Sequence, residues 1–394
     1  MSATTEPRSV APSEPLPAEP QSPLARLSPE QIEQLGREFD AIHDDVYADL
    51  GERDARYIRS TIALHRRLVL AARATLLLSR RRPAWLAGTA MLSLAKILEN
   101  MELGHNIMHG QWDWMNDPDI NSQSWDWDTA SPADAWKHSH NYEHHTFSNI
   151  RGKDRDLGYE IMRIDPHQRW HPVYVLQPLY NLVLMGFFEW GVALHDLNVD
   201  AIRSGEKSKG AALAELKAIG VKARRQIVKD YLAFPALSAA TAPAGSRART
   251  FSSTCRADFT ANIVRNVWAH SIIFCGHFPD QTYTFSEDEV AEETRGGWYV
   301  RQLLGAANID GGPLFHLLSG NLSFQVEHHL FPDMPSSRYS EIAPRVREVC
   351  RRYGLPYNTG PLHRQLGTVH RTILRLALPG GRPRPKPGPY GQPA

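Results

Sequence analysis

Cysteine is scarce. The 394-residue chain carries only Cys255, Cys275 and Cys350, too few and too scattered for an iron–sulfur cluster or a disulfide framework, which agrees with a reducing compartment. Surplus charge is missing as well: 44 basic residues face 43 acidic ones for a net charge of +1, and no basic stripe with interleaved aromatics suggests a nucleic-acid partner. No G-x-G-x-x-G fingerprint opens a strand–helix unit and no haem-binding His-Pro-Gly-Gly element is present, so no built-in electron carrier is visible. Long uncharged apolar runs are few, and the mean hydropathy is −0.41. The first 29 residues, rich in Pro, Ser, Ala and Glu, have no apolar core of the signal-peptide kind and are expected to be a disordered tail. The Pro/Gly-rich run from Pro379 to Pro389 marks a second tail, residues 376–394. No linker divides the chain between them, so residues 30–375 read as one domain.

Histidine, by contrast, is concentrated. Of 18 histidines, eight lie in His105-x3-His109, in His138-Ser-His140-Asn-Tyr-Glu-His144-His145 and in Gln325-Val-Glu-His328-His329. Neutral imidazole is the commonest protein metal ligand, and no cysteine accompanies these clusters, which points to a nitrogen-rich metal site. Residues four apart share a helix face, so His105 with His109, and His140 with His144, can converge on one ion. Adjacent side chains diverge by roughly 100° on a helix, so the doublets His144/His145 and His328/His329 suit two ions side by side. A structural zinc site is the rival reading, but it takes four ligands, mostly thiolates. His43, His65, His167, His171, His195, His363 and His370 stand alone and are read as packed or surface residues.

The three clusters resemble the histidine boxes of the membrane-bound fatty acid desaturases, H-x3/4-H, H-x2/3-H-H and H/Q-x2-H-H. Here they read His105-x3-His109, His140-x3-His144-His145 and Gln325-x2-His328-His329, the last continuing as Leu-Phe-Pro. The stretch from Glu99 to Pro118 looks closest to actinobacterial acyl-CoA desaturases. The resemblance implies an all-α fold, a polytopic membrane helical bundle with a cytoplasmic helical cap around a histidine-ligated diiron centre. It also implies an extra histidine ligand between boxes two and three. His277 is the better placed; His270, four residues after Asn266, is the other candidate. His138 and His316 are assigned supporting positions, and Gln325, which stands where some relatives have histidine, is expected to hydrogen-bond a ligand. Glu143, Glu327 and Asp156 are candidate acceptors that orient the imidazoles.

The implied chemistry is O2-dependent removal of two neighbouring hydrogens from an acyl chain, with the oxygen leaving as water. General acid–base catalysis, worth about 10² to 10⁴ in rate, cannot achieve this at an unactivated methylene. Two Fe ions, O2 and reducing equivalents from NAD(P)H through a separate ferredoxin or flavin reductase are the implied cofactors. The substrate is a fatty acyl-CoA or an acyl-lipid, and Arg151, Lys153 and Arg155 after box two are candidate contacts for its phosphates. Two alternatives stay open: a membrane diiron hydroxylase using similar boxes, and a catalytically idle metal-binding membrane protein.

Membrane spans are expected at Val173–Leu194, Pro83–Met101 and Phe259–Phe278, with weaker ones at Ile62–Ser79 and Tyr231–Ala244. The active site and both tails should face the cytoplasm, and the basic loop Arg203–Lys229 should stay there too. Arg80, Arg81 and Arg82 break the positive-inside pattern. Glu99 and Glu102, just before His105, are expected to face the site. Trp112, Trp114, Trp125 and Trp127 form an interfacial belt or a packed cap.

Overall fold

The computed structural model describes residues 26–382 and is almost wholly helical. Its longer helices are α1 (Pro29–Ala48), α2 (Glu52–Leu76), α3 (Arg82–Leu98), α4 (Gln177–Gly186), α5 (Phe188–His195), α6 (Lys209–Val228), α7 (Phe234–Ala240), α8 (Arg247–His277), α9 (Arg295–Gly305), α10 (Gln325–Leu330), α11 (Tyr339–Tyr353) and α12 (Leu362–Leu376). The expected all-α class has one small addition, a two-stranded parallel ladder of Asn308–Asp310 on Thr359–Pro361. Helix α1 shows how local chemistry sets a boundary. Ser28 and Gln31 each accept from the other's backbone N–H, and Pro29 occupies the first turn, where its missing donor costs nothing. The helix thus begins inside the residues assigned to the N-terminal tail; residues 1–25 and 383–394 lie outside the described residues.

Two helical hairpins, α2–α3 and α7–α8, pack against each other through α3 and α8. Gly88 permits the close approach within the first hairpin, since a Cβ there would lie 2.7 Å from Leu76. Several of the charges that interrupt the expected spans, Arg73, Lys96, Glu189 and Arg265, are paired in the interior. Lys96 Nζ reaches Asp230 at 2.7 Å, Arg73 reaches Asp230 at 3.0 Å and also binds Asp258, and Arg265 binds Glu189. Buried ions are tolerated when paired in this way.

Three expectations are corrected. The Val173–Leu194 stretch is not one straight span: two helical runs, Pro172–Gly186 and Phe188–Ser204, meet at a 102° bend where Phe187 leaves helical geometry. Among the described residues no single helix is long and apolar enough to cross a membrane, although this bent pair passes by length and composition. The basic stretch 203–229 is mostly the helix α6, capped where Ser208 accepts from Ala211 N–H, rather than a loop. Glu99 and Glu102 do not face the imidazoles. Glu99 accepts from the Asp128 backbone N–H, and Glu102 accepts from Tyr57, Asn321 and Ser336.

Helices α1, α9, α10 and α11 form a second body whose core includes Leu35, Phe39, Tyr299, Phe331, Tyr339 and Val346. It carries the third histidine box on α10. Arg338 ties this body to the start of α2 through both oxygens of buried Asp54, at 2.6 and 2.7 Å. The tryptophans form a packed cap: Trp112 and Trp127 are buried, and Trp114 and Trp125 lean on the same clusters.

Candidate metal centre

Both of the first two boxes sit on π-helical turns, Glu99–His105 and Lys137–His144, each continuing into a short α-turn. The wider turn closes i→i+5 bonds, so positions five apart come to one face. His140 and His145 use this: their ring centroids are 5.0 Å apart, while His140 and His144 stack at 5.2 Å. His277 ends α8, where the helix reaches the same space, and α10 supplies His328 and His329.

The nitrogens fall into two groups, each within 4.8 Å. One is His105, His109, His140 and His328; the other is His144, His277 and His329. The His328/His329 doublet therefore splits, with rings 85° apart, one to each group. His145 lies between them, 4.7 Å from His109, 4.8 Å from His328 and 4.6 Å from His329.

The opposite edge of most rings is held. His105 Nδ1 meets Asn106 Oδ1 at 2.9 Å, His144 Nδ1 meets Asp154 at 3.0 Å, His328 Nδ1 meets the Tyr339 hydroxyl at 3.2 Å and His329 Nδ1 meets Gln302 Oε1 at 2.8 Å. His140 Nδ1 lies 3.5 Å from Asp156. Such contacts fix the ring and leave Nε2 as the lone pair. His109, His144, His328 and His329 each present a buried Nε2 with no protein partner, His145 presents both nitrogens and His277 presents Nδ1. Buried polar atoms are seldom left so in number without a ligand to receive them. The all-imidazole donor set, gathered in two groups, fits a pair of first-row transition ions.

Electrostatics keep most of these rings in the form a ligand needs. Burial, reinforced by the neighbouring rings, pushes His109, His145, His328 and His329 well below the ordinary histidine range and His105 to about 3. His144 is the exception. Burial opposes its charging, but Asp154 and Asp156 outweigh burial and raise it to about 9.

The other sequence candidates fall outside the two nitrogen groups. His270 is directed to Asn181 at 3.0 Å and stacks on Phe274, while Asn266 donates to Gly186 O. His316 binds Ser323 at 2.7 Å, and His138 is exposed beside Glu143. Gln325 places its amide 3.1 Å from His277 Nε2. Glu143 pairs with Arg155, and Glu327 accepts from Asn308 and Tyr357, so neither orients an imidazole in the way Asp156 does. Arg155 is committed to Glu143 and Glu160, Lys153 lies against Glu287, and Arg151 lies against Asp165 and Glu289. Sequence reasoning missed Asp154, Gln302 and Tyr339. The Asp154-x-Asp156 pair just after box two could have disclosed the first; the other two are remote in the chain and carry no local signal. It also placed His195 among the bland residues, whereas His195 Nε2 holds Asp156 Oδ1 at 2.9 Å.

A cleft of about 870 Å³, mouth included, opens on this centre. His105, His140, His277 and Gln325 form one wall, and Met101, Trp127, Tyr159, Phe188, Ile273 and Phe278 line it with apolar surface.

The fatty acid desaturase family model matches residues 83–361. An NADPH-dependent stearoyl-CoA 9-desaturase of Mycobacterium tuberculosis is 48% identical over 90% of this chain and 82% of its own length. An sn-1 linoleoyl-lipid 6-desaturase of Synechocystis is 24% identical over 71% of this chain and 76% of its own. The human fatty acid desaturase 3 is 36% identical over a shorter segment, 22% of this chain and 20% of its own. No solved structure matches the chain. With the histidines grouped as described and the family model covering the greater part of the chain, this protein belongs to the fatty acid desaturase family.

Proposed function

We propose that the chain introduces a double bond at the 9-position of a saturated acyl-CoA of the stearoyl type. The observation that carries this reading is the pair of imidazole groups, with unpartnered nitrogens facing inward, at the wall of an apolar cleft. The substrate class and the position follow the mycobacterial relative, whose name states both.

His105, His109, His140 and His328 would hold one iron, and His144, His277 and His329 the other, with His145 placed to serve either. When bound, an iron pair supplies the oxidising power that unactivated C–H bonds require, with O2 and two external electrons consumed. The protein's part is position. Met101, Phe188, Ile273 and Phe278 would hold a stretch of acyl chain against the imidazole wall and keep water from it. Asp154, Asp156, Gln302 and Tyr339 fix the rings, so that little rearrangement is needed when substrate arrives. Electrons would come from NADPH through a separate carrier, in line with the relative's name.

The two helical hairpins would form the membrane-embedded part. Helix α3 runs for 17 residues, on the order of 25 Å at about 1.5 Å per residue, most of a hydrocarbon core of about 30 Å, and the Glu99–His105 turn that follows would lie beyond it. Leu70, Leu78, Leu86, Leu237 and Phe259 are exposed on this bundle while Lys96, Arg73 and Asp230 are paired inside it. The histidines at its far end would face the cytoplasm.

The test is the fatty acid profile of cells expressing the chain with a compatible reductase, beside a His144→Ala control. A 9-unsaturated acid absent from the control is expected. A hydroxy acid instead would replace the reading with hydroxylation, and unsaturation at another carbon would overturn the proposed position.

A further inference from the structure

The two hairpin tips, Leu77–Arg81 and Thr241–Ser246, are distant in sequence, and both lie at the end of the bundle away from the histidines, since α3 and α8 run from them towards His105 and His277. Three hydrogen bonds fasten the first hairpin to the opening turns of α8, just past the second tip. Ser79 Oγ and Thr254 Oγ1 are 3.0 Å apart, Ser253 Oγ donates to Ser79 O at 2.8 Å, and Trp85 Nε1 donates to Ser253 O at 3.1 Å.

This contact gathers five exposed arginines: Arg80, Arg81 and Arg82 from one tip, Arg247 and Arg249 from the other. Four make no side-chain hydrogen bond or ion pair among the described residues. Arg247 reaches only a backbone carbonyl, Ala242 O at 3.5 Å. The isolation is written into the chain, for no Asp or Glu stands between Asp54 and Glu99, nor between Asp230 and Asp258. Those flanking carboxylates that lie nearest in the bundle, Asp230 and Asp258, are buried and already bound to Arg73. Arg338, Arg301, Arg155 and Arg265, by contrast, are each paired with a carboxylate.

We infer that the paired tips form a binding site for the phosphate headgroups of anionic phospholipids, in the leaflet opposite the metal centre. Guanidinium groups match phosphate oxygens in a planar, two-pronged fashion. Directly beneath the arginines the surface turns apolar, with Leu78 and Leu86 each 52% exposed. A headgroup on the arginines would therefore lay its acyl chains along these leucines, a match that free phosphate cannot make. The site also accounts for a basic cluster that breaks the positive-inside pattern, since lipid phosphates supply the counter-charge that the protein withholds.

The inference rests on the reading of the hairpins as membrane-embedded, and the test separates the two. Full-length protein in neutral detergent is titrated with phosphatidylglycerol, phosphatidylcholine and inorganic phosphate, with lipid retention read by native mass spectrometry. The variants are R80Q/R81Q/R82Q and, separately, R247Q/R249Q. Wild type should retain phosphatidylglycerol at least tenfold in preference to phosphatidylcholine. Each variant should lose affinity for it by up to about fivefold per arginine removed, with metal content unchanged. Equal retention by wild type and both variants overturns the lipid site, as does displacement of the lipid by millimolar phosphate. Release of the protein from membranes by alkaline carbonate alone would overturn the embedded reading itself and this site with it.

Discussion

Glu102 illustrates what a single buried side chain contributes near this centre. Burial is the largest influence on it and raises its carboxyl to about 7, although hydrogen bonds from Ser336, Tyr57 and Asn321 work the other way. An acid whose folded value is raised holds its proton in the folded state after the unfolded chain has released it. Stability therefore falls as pH rises from about 4.5 to about 7 and levels off above that, by about 3 kcal/mol at most. Glu102→Gln removes the titration, so its unfolding midpoint should vary less over this window than that of wild type, as followed by thermal denaturation. At the same scale, the histidine boxes were legible from the sequence because each is a short run of one residue type at fixed spacing. Their supports were not. Gln302 and Tyr339 meet His329 and His328 only because α9 and α11 pack on α10, and nothing in their local sequence announces it.

At the scale of the element, the π-turns matter most. Each inserts an extra residue into the i→i+4 ladder just where a histidine must be aimed. Deleting Asn100 should let Glu99–His105 relax to an α-helix and rotate His105 and His109 by roughly 100° relative to α3. Metal content, measured on purified protein, should drop sharply while the helical circular dichroism remains. Retention of full metal by the deletion variant would show that the turn has no aiming role. Sequence periodicity cannot disclose such turns, because a π-turn has no composition of its own. The same limit explains the Val173–Leu194 stretch. Its residues are apolar enough for one straight span, but the Phe187 backbone leaves helical geometry and the segment bends by 102°. The helix α6 was missed for the opposite reason: its charges suggested a loop, while Ser208 and a run of good helix formers favour a helix.

Across the whole molecule, the fold joins segments that are far apart in the chain. Arg338 and Asp54 are 284 residues apart, and their buried bidentate pair locks the body carrying box three to the hairpin leading towards box one. Arg338→Ala would leave Asp54 buried with its partner gone, and a loss of about 3–5 kcal/mol is expected, measurable as a lowered unfolding midpoint. A near-unchanged midpoint would mean that the two bodies hold together without this pair. Family, reaction class and a cluster of histidines fit to hold metal were readable from the boxes. The pairing of Arg73, Lys96, Asp230 and Asp258 was not, since a hydropathy profile counts those charges as interruptions and cannot see that they neutralise one another.

The split doublet on α10 acts as a yoke. His328 and His329 are joined by one peptide bond, yet each serves a different group, so a shift of this one turn moves a ligand in both. On the proposed assignment of one iron to each group, the two ions should therefore enter and leave together. His328→Ala, which removes a ligand from the first group alone, should purify with close to no iron rather than with half the wild-type amount. Retention of one iron per chain would show that the two positions fill independently.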